Sequence, residues 1–370
     1  MNIALVVHDL HEYGGHSFYA RTIADQLAPQ HDVTVFANRC ERPGDARWEH
    51  IHVNAWRVNA LSTVRTFPVG LRAHRRRLTE FDIQHAQGYC GGRPNVVTAH
   101  ICVAAYLKSL KGIKGRTRAS LNLMARAESR FYRRYKGAVI AISEKIANEL
   151  RDLYRVDQDI AVIPHGVDSV RFSPMNRELH RAKVREELGI GEDRIAALFV
   201  GDLTKAHVYL KELAKAITNV QLIIVSRSTD YRWQAANVQF IDPTRQIERY
   251  YAAADAFLFP SSYDSFGMVV LEAMASGVPV FCADQAGASE LITSGKDGFV
   301  FPLNHFVEAT ADYLRDVQSL QTIGIEAERT ARRHDWESVA RKVEQVYFAV
   351  AAQPSVATTA QVSDVYRYQQ

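Results

Sequence analysis

The chain has 370 residues, 47% of them hydrophobic and 23% charged, with a formal net charge of +4. That length exceeds one ordinary hydrophobic core, so two domains are expected, and the composition excludes an intrinsically disordered chain. No apolar run approaches the roughly eighteen residues of a membrane span, which excludes an integral helical membrane protein.

In chain order, "MNIALVV" reads as a strand without a basic leader, so a cytoplasmic protein is expected. Cys40, Cys90, Cys102 and Cys282 form no CxxC pair and read as reduced thiols, in keeping with that compartment. "HDLHEYGGH" (8–16) follows and has two readings. His8, His11 and His16 would make a zinc site only if all three converged. The alternative is a glycine turn, Gly14–Gly15, that opens a helix and brings backbone N–H groups to a phosphate. Strand end, turn and helix start separate the histidines, which favours the glycine turn, with His16 close enough to touch a ligand.

Strand-like runs continue at 32–37, 95–100, 138–143 and 160–164, with helical stretches at 17–27 and 144–153. A second series runs through 195–201, 220–226, 238–241, 256–260 and 278–283, separated by helical segments at 206–217, 244–254 and 266–276. Strands alternating with helices argue for α/β domains with parallel sheets. The turn-rich "PHGVDSVRFSP" (164–174) marks the junction, giving domains at 1–167 and 168–335. A C-terminal helix (336–350) is expected to pack back toward the first domain, followed by a flexible tail (351–370).

Charge divides unevenly between the halves. Residues 1–170 carry 24 Lys+Arg against 16 Asp+Glu, whereas 171–370 carry 21 against 25. Between Lys108 and Lys136 lie ten cations and one anion, Glu128, interleaved with apolar and aromatic residues. Such a segment suits a solvated helix face, or an anionic membrane surface that would make the protein peripheral. No nucleic-acid motif accompanies it, so nucleic acid is not an expected partner.

The stretch "FLFPSSYDSFGMVVLEAMASGVPVFCA" (257–283) carries the most chemistry. It reads as a buried strand, a polar loop and a helix starting near Phe266–Gly267 and ending at Gly277. The helix start presents free N–H groups and a positive dipole end, which suit a diphosphate. Asp264 and Glu272 flank that start. A carboxylate on an otherwise apolar helix needs hydrogen-bond partners, and ribose hydroxyls would supply them.

These residues resemble the signature of the retaining glycosyltransferases of family 4, two acidic residues followed by "EAMASGVPV"-like sequence. "VIAISEKIANEL", "IAVIPHGVDSVRFSP", "VVTAH", "YYAAADAFLFPSS" and "ASELITSGKDGFVF" are similar to other segments of that family. The resemblance implies GT-B architecture, with two Rossmann-like parallel-sheet domains facing across a cleft that closes about 165–175. It also implies transfer of a sugar from a nucleotide sugar to a glycan, lipid-linked or other hydroxyl acceptor, in the synthesis of envelope polysaccharide or glycolipid.

Carried over by position, Glu272 would hold the ribose, and Asp264 with the backbone of Ser265, Phe266, Gly267, Met268 and Val269 would hold the donor sugar and phosphates. His100 would reach the sugar, and Gly14, Gly15 and Gly201 would bring backbone close to the donor. The chain departs from the family after the first strand of the second domain, where Gly-Arg-Leu is usual. Here "VGDLTKAHVYL" places Asp202 at the arginine position and Lys205 nearby. Lys205 is then the cation expected on the leaving diphosphate, with Arg227 or Arg245 as substitutes.

The implied mechanism is retaining front-face attack, with the leaving phosphate taking the acceptor's proton. Glu272 is expected on the nucleotide and so is no glycosidase nucleophile. No metal or other cofactor is expected, since the implied scheme does not require a metal ion. The alternative function is a catalytically impaired nucleotide-sugar-binding or scaffold protein on the same frame. A Rossmann oxidoreductase is disfavoured because "HEYGGHS" contains no G-x-G-x-x-G.

Overall fold

The computed structural model describes residues 1–352 other than 12–13, 57, 59, 111 and 316–319. The expected tail from residue 353 onward therefore lies outside the described residues. The chain divides into two compact units, one formed by 1–165 with the segment from Trp336, the other by Gly166–Asp335.

The first unit holds a seven-stranded sheet of β1 (Asn2–Val6), β2 (Asp32–Ala37), β3 (Glu49–His52), β4 (Ile83–Gln87), β5 (Val96–Ala99), β6 (Ala138–Ala141) and β7 (Ile160–Val162). Its order is β3-β2-β1-β4-β5-β6-β7, and every adjacent pair is parallel. Strands buried on both faces read as continuous apolar runs, which is why β1 and β6 are legible in the sequence. The polar β3 ("EHIH") and β4 ("IQHAQ") show no such run, and sequence reading passes over both. β4 tolerates polar side chains because they are paired: buried His85 contacts the Tyr347 hydroxyl at 2.6 Å and the Thr98 hydroxyl at 2.7 Å.

The crossovers include α1 (Gly15–Leu27), α2 (Ala60–Arg72), α3 (Val103–Ser109), α4 (Gly115–Tyr132) and α5 (Glu144–Tyr154). Ser143 caps α5 by accepting from the Ile146 N–H at 3.2 Å. The described part of the basic segment takes in the end of α3, the whole of α4 and the turn that follows it. The single anion, Glu128, points inward and accepts from the Val103 N–H at 2.9 Å and the Tyr154 hydroxyl at 2.5 Å.

The second unit repeats the scheme with six strands: β8 (Ala196–Val200), β9 (Gln221–Val225), β10 (Val238–Ile241), β11 (Ala256–Phe259), β12 (Val280–Ala283) and β13 (Phe299–Phe301). The order is β10-β9-β8-β11-β12-β13, again all parallel. Its helices include α6 (Met175–Glu187), α7 (His207–Ala216), α8 (Glu248–Ala253), α9 (Met268–Ala275), α10 (Phe306–Tyr313) and α11 (Gln321–Ala331). The helix expected from residue 244 starts only at Glu248. α12 (Trp336–Ala351) belongs to the first unit, where His31 meets Glu344 at 2.5 Å.

In both sheets the strand order reverses beside the first strand of the unit, between β1 and β4 and between β8 and β11. Loops diverge at such a reversal and leave a crevice at the carboxyl edge, the usual ligand position in open α/β sheets. No described helix is long and apolar enough to cross a membrane. The four cysteines are free thiols.

Candidate active site

In the second unit the crevice is built from the loops after β8 and β11. The Ser262 N–H donates to the Lys205 carbonyl at 3.0 Å, tying the two loops together. Across that tie the Lys205 ammonium lies 3.4 Å from Oδ2 of Asp264. The other oxygen of Asp264 accepts from the Phe266 N–H at 3.3 Å. Its backbone is fixed as well, with its N–H donating to Gln285 and its carbonyl accepting from Gly287. Asp264 is thus an anchored anion at the mouth of α9, paired with a cation from the neighbouring loop.

Gly267 precedes α9 in the left-handed region (φ 93°), and an added Cβ would sit 2.9 Å from Cε1 of Phe259. Glycine is therefore required by backbone conformation and by packing against β11, a reason additional to close approach of a ligand. The N–H groups of Met268 and Val269 have no acceptor within the helix, by helix geometry. The Phe266 side chain is buried, its N–H is engaged by Asp264 and its carbonyl accepts from the Ala288 N–H at 2.7 Å, so Phe266 shapes the loop. Ser265 is half-buried in the same loop.

Glu272 lies one turn into α9. The Tyr251 hydroxyl on α8 donates to its Oε2 at 2.9 Å and also reaches the Val269 carbonyl at 3.2 Å. Burial raises the Glu272 carboxyl to about 7, against the bond from Tyr251 and the nearby Arg171 charge. Arg171 itself pairs with Glu248 at 2.9 Å. The bonding partner of Glu272 is thus a buried tyrosine, with the cation beside it engaged elsewhere. Tyr251 and Arg171 escape sequence reasoning because one looks like a core aromatic of "RYYAAA" and the other like a linker cation.

Asp202 works as a cap. It accepts from the Thr204 N–H at 2.9 Å and the Ser228 hydroxyl at 2.9 Å, closing the 3-10 turn Leu203–Lys205 that carries Lys205. Burial works against ionisation here, but these bonds and the Lys205 charge hold the carboxyl below its ordinary range. Gly201 leads into this turn at the end of β8. Arg227 follows β9 and is exposed, as is Arg245, whose carbonyl accepts from Arg171 at 2.6 Å.

In the first unit, Gly14 caps α1 with φ 98°, and its carbonyl accepts from the Phe18 N–H at 3.0 Å. Gly15 is the first residue of α1, and His16 beside it is exposed. His100 follows β5, with Nε2 2.8 Å from the Gln87 side-chain oxygen. Its ring packs against Tyr19 at 4.9 Å and His165 at 5.7 Å, with His16 at 6.1 Å. Burial and the neighbouring imidazoles hold His100 well below its usual value, so it is neutral at physiological pH. His8 takes another direction, edge-on to Phe67 at 4.8 Å. Among the described residues no group of three His, Cys, Asp or Glu side chains is arranged to hold a metal ion.

Two sequence families match: Glycosyltransferase Family 4 over residues 13–171, and Glycosyl transferases group 1 over 194–319. Together they take in more than half of the chain. The chain belongs to glycosyltransferase family 4. As a family 4 member it is 28% identical to the D-inositol 3-phosphate glycosyltransferase of Nocardia farcinica over 57% of this chain and 52% of that protein. It is 24% identical to an uncharacterised glycosyltransferase of Methanocaldococcus jannaschii over 90% of this chain and 94% of that one. Several of the curated relatives are thus matched over only about half their length.

The fold is the GT-B fold of WaaG, a glycosyltransferase involved in lipopolysaccharide biosynthesis. That structure matches with a TM-score of 0.76 at 20% identity, over 93% of this chain and 99% of that one. Anabaena HepE, solved in complex with UDP-glucose, matches with a TM-score of 0.70 at 18% identity, over 94% of this chain and 100% of that one.

Proposed function

We propose that this family 4 protein is a retaining glycosyltransferase that binds a nucleotide-diphosphate sugar in its second unit and transfers the sugar to a hydroxyl acceptor. The observation that carries the reading is the grouping of Lys205, Asp264, the α9 N-terminus and Glu272 at the reversal point of one parallel sheet. The nucleotide complexes of HepE support the donor class, and the family match supports the transfer.

Cleaving a glycosyl–phosphate bond builds negative charge on the diphosphate. The α9 N–H groups and the Lys205 ammonium are two positive elements fixed before any ligand arrives, so they stabilise that charge without reorganisation. Asp264 holds Lys205 in place and offers an acceptor to donor-sugar hydroxyls. Glu272, already receiving one hydrogen bond from Tyr251, has its remaining lone pairs for the two ribose hydroxyls. Asp202 substitutes shape for charge, since its carboxylate is occupied in forming the turn that presents Lys205.

The proton released by the acceptor goes to the leaving phosphate, with retention of configuration and without a metal ion. A glycan or lipid-linked acceptor in envelope synthesis fits the basic character of the first unit, in a cytoplasmic protein peripheral to an anionic membrane. Neutral His100, with Nε2 fixed on Gln87, is assigned to the sugar.

Thermal-shift titration with UDP, GDP and ADP, followed by turnover with the corresponding sugars, tests the assignment. Stabilisation by one nucleoside diphosphate, abolished in Glu272→Ala with the fold intact by circular dichroism, is expected. Saturable nucleotide binding with no turnover on any donor and acceptor pair would instead favour the scaffold alternative.

A further inference from the structure

A second candidate site lies wholly within the first unit. A cavity of about 730 Å³ runs between α4 and the β4–β5 connection, from Tyr89 to Gly137. Five cations line it, Arg93, Arg126, Arg130, Arg134 and Lys136, and no carboxylate does. A neighbouring hollow of about 560 Å³ adds Arg133 and shares Arg126, Arg130 and Arg134, again without an acid. Among the described residues none of these six side chains has an ion-pair partner.

The arrangement is costly to the helix. Arg126 and Arg130 lie four residues apart within α4, so like charges sit on one ridge, and Arg134 follows just past the helix end. The C-terminal dipole of α4 favours cations in its last turn but gives no reason for Arg126 or Arg93. The one carboxylate available, Glu128, is turned inward onto Val103 and Tyr154. Apolar surface continues the cavity: Phe131 lies between Tyr89 and Tyr135 at ring distances of 5.4 and 5.2 Å, and Leu123 is 41% exposed.

We infer that this groove binds a diphosphate joined to an apolar group. The guanidinium cluster supplies bidentate donors to phosphate oxygens, and the aromatic and Leu123 surface takes the apolar part. The volume falls within the ordinary range for organic ligands, about 300–1,000 Å³. The inference is independent of the donor site, because every lining residue belongs to the first unit.

Calorimetric titration of the full chain with geranyl diphosphate, inorganic pyrophosphate and vesicles containing phosphatidylglycerol tests it. The triple variant Arg126→Gln/Arg130→Gln/Arg134→Gln is expected to lose at least tenfold in affinity for geranyl diphosphate. The control Arg75→Gln/Arg76→Gln, elsewhere on the unit, is expected to retain it. Tyr89→Ala should weaken geranyl diphosphate and leave inorganic pyrophosphate unchanged. Groove-dependent vesicle binding would assign the phosphate to a lipid headgroup; its absence, with geranyl diphosphate still bound, would assign a discrete diphosphate ligand. Equal losses in the groove and control variants, no binding of any probe, or preference for a single-stranded oligonucleotide overturns the proposal. Thermal shift by the nucleotide should persist in the groove variants, so failure here is distinguishable from failure of the donor assignment.

Discussion

Tyr251 and Glu272 meet at 2.9 Å across the α8–α9 contact, the phenol donating to the carboxylate. Neither residue is near the other in sequence, and the contact fixes the direction of the proposed ribose-binding group. A hydrogen bond to a charged partner contributes about 1.5–3 kcal/mol. Tyr251→Phe should therefore weaken nucleotide binding by about tenfold or more while the protein stays folded. Nucleotide affinity equal to wild type, measured by calorimetry, would remove Tyr251 from the site.

Two carboxyls, the buried Glu128 and the half-buried Glu272, are each raised by desolvation to about 7 from an ordinary 4.5. The folded protein then holds protons that the unfolded chain releases between those values. Their stabilising contribution is complete below about pH 4.5 and is lost as pH rises through about 7. Melting temperature should fall between pH 5 and pH 8, and Glu128→Gln and Glu272→Gln should each make that fall shallower. Unchanged slopes in both variants would contradict the assignment.

Gly267→Ala forces a side chain into the left-handed region and against Phe259. Backbone strain of this kind costs about 1–3 kcal/mol. Chemical denaturation should report a loss in that range, and nucleotide binding should fall because the α9 start is displaced. Retained stability would mean that the loop relaxes without cost.

Lys205 supplies the charged donor of the proposed diphosphate site. Removing one preorganised donor of this type costs about 10²–10³ in turnover, so Lys205→Met should lower kcat by that factor with the melting temperature little changed. A kcat within twofold of wild type would shift the role to another cation, with Arg227 the first to test.

Asp202→Ala removes the cap of the turn carrying Lys205, worth about 0.5–2 kcal/mol. Turnover should drop less than in Lys205→Met, and the double variant should be no worse than Lys205→Met alone. Additive losses in the double-mutant cycle would show that Asp202 acts separately.

Much of this was legible in order along the chain. The apolar runs of β1, β6, β8 and β11, the glycine turn before α1 and the helix start at Gly267 follow from local rules of burial, backbone freedom and hydrogen bonding. Those rules also placed Asp264 and Glu272 at that helix, because a carboxylate in an apolar segment demands a partner. They did not reveal β3 and β4, whose polar side chains read as loop. In β4, buried His85 becomes admissible only once Tyr347 and Thr98 are brought to it.

The sequence by itself determined two α/β units, the family, and which residue types cluster at 257–283. Tertiary structure decided the partners: Tyr251 for Glu272, Lys205 for Asp264, and Thr204 with Ser228 for Asp202. It also turned Glu128 inward and, among the described residues, left the arginines around the cavity without ion-pair partners. The physical reason is range. Strand and helix formation depend on neighbours a few residues away, whereas a hydrogen bond or ion pair depends on which distant segment the fold brings within 3–4 Å.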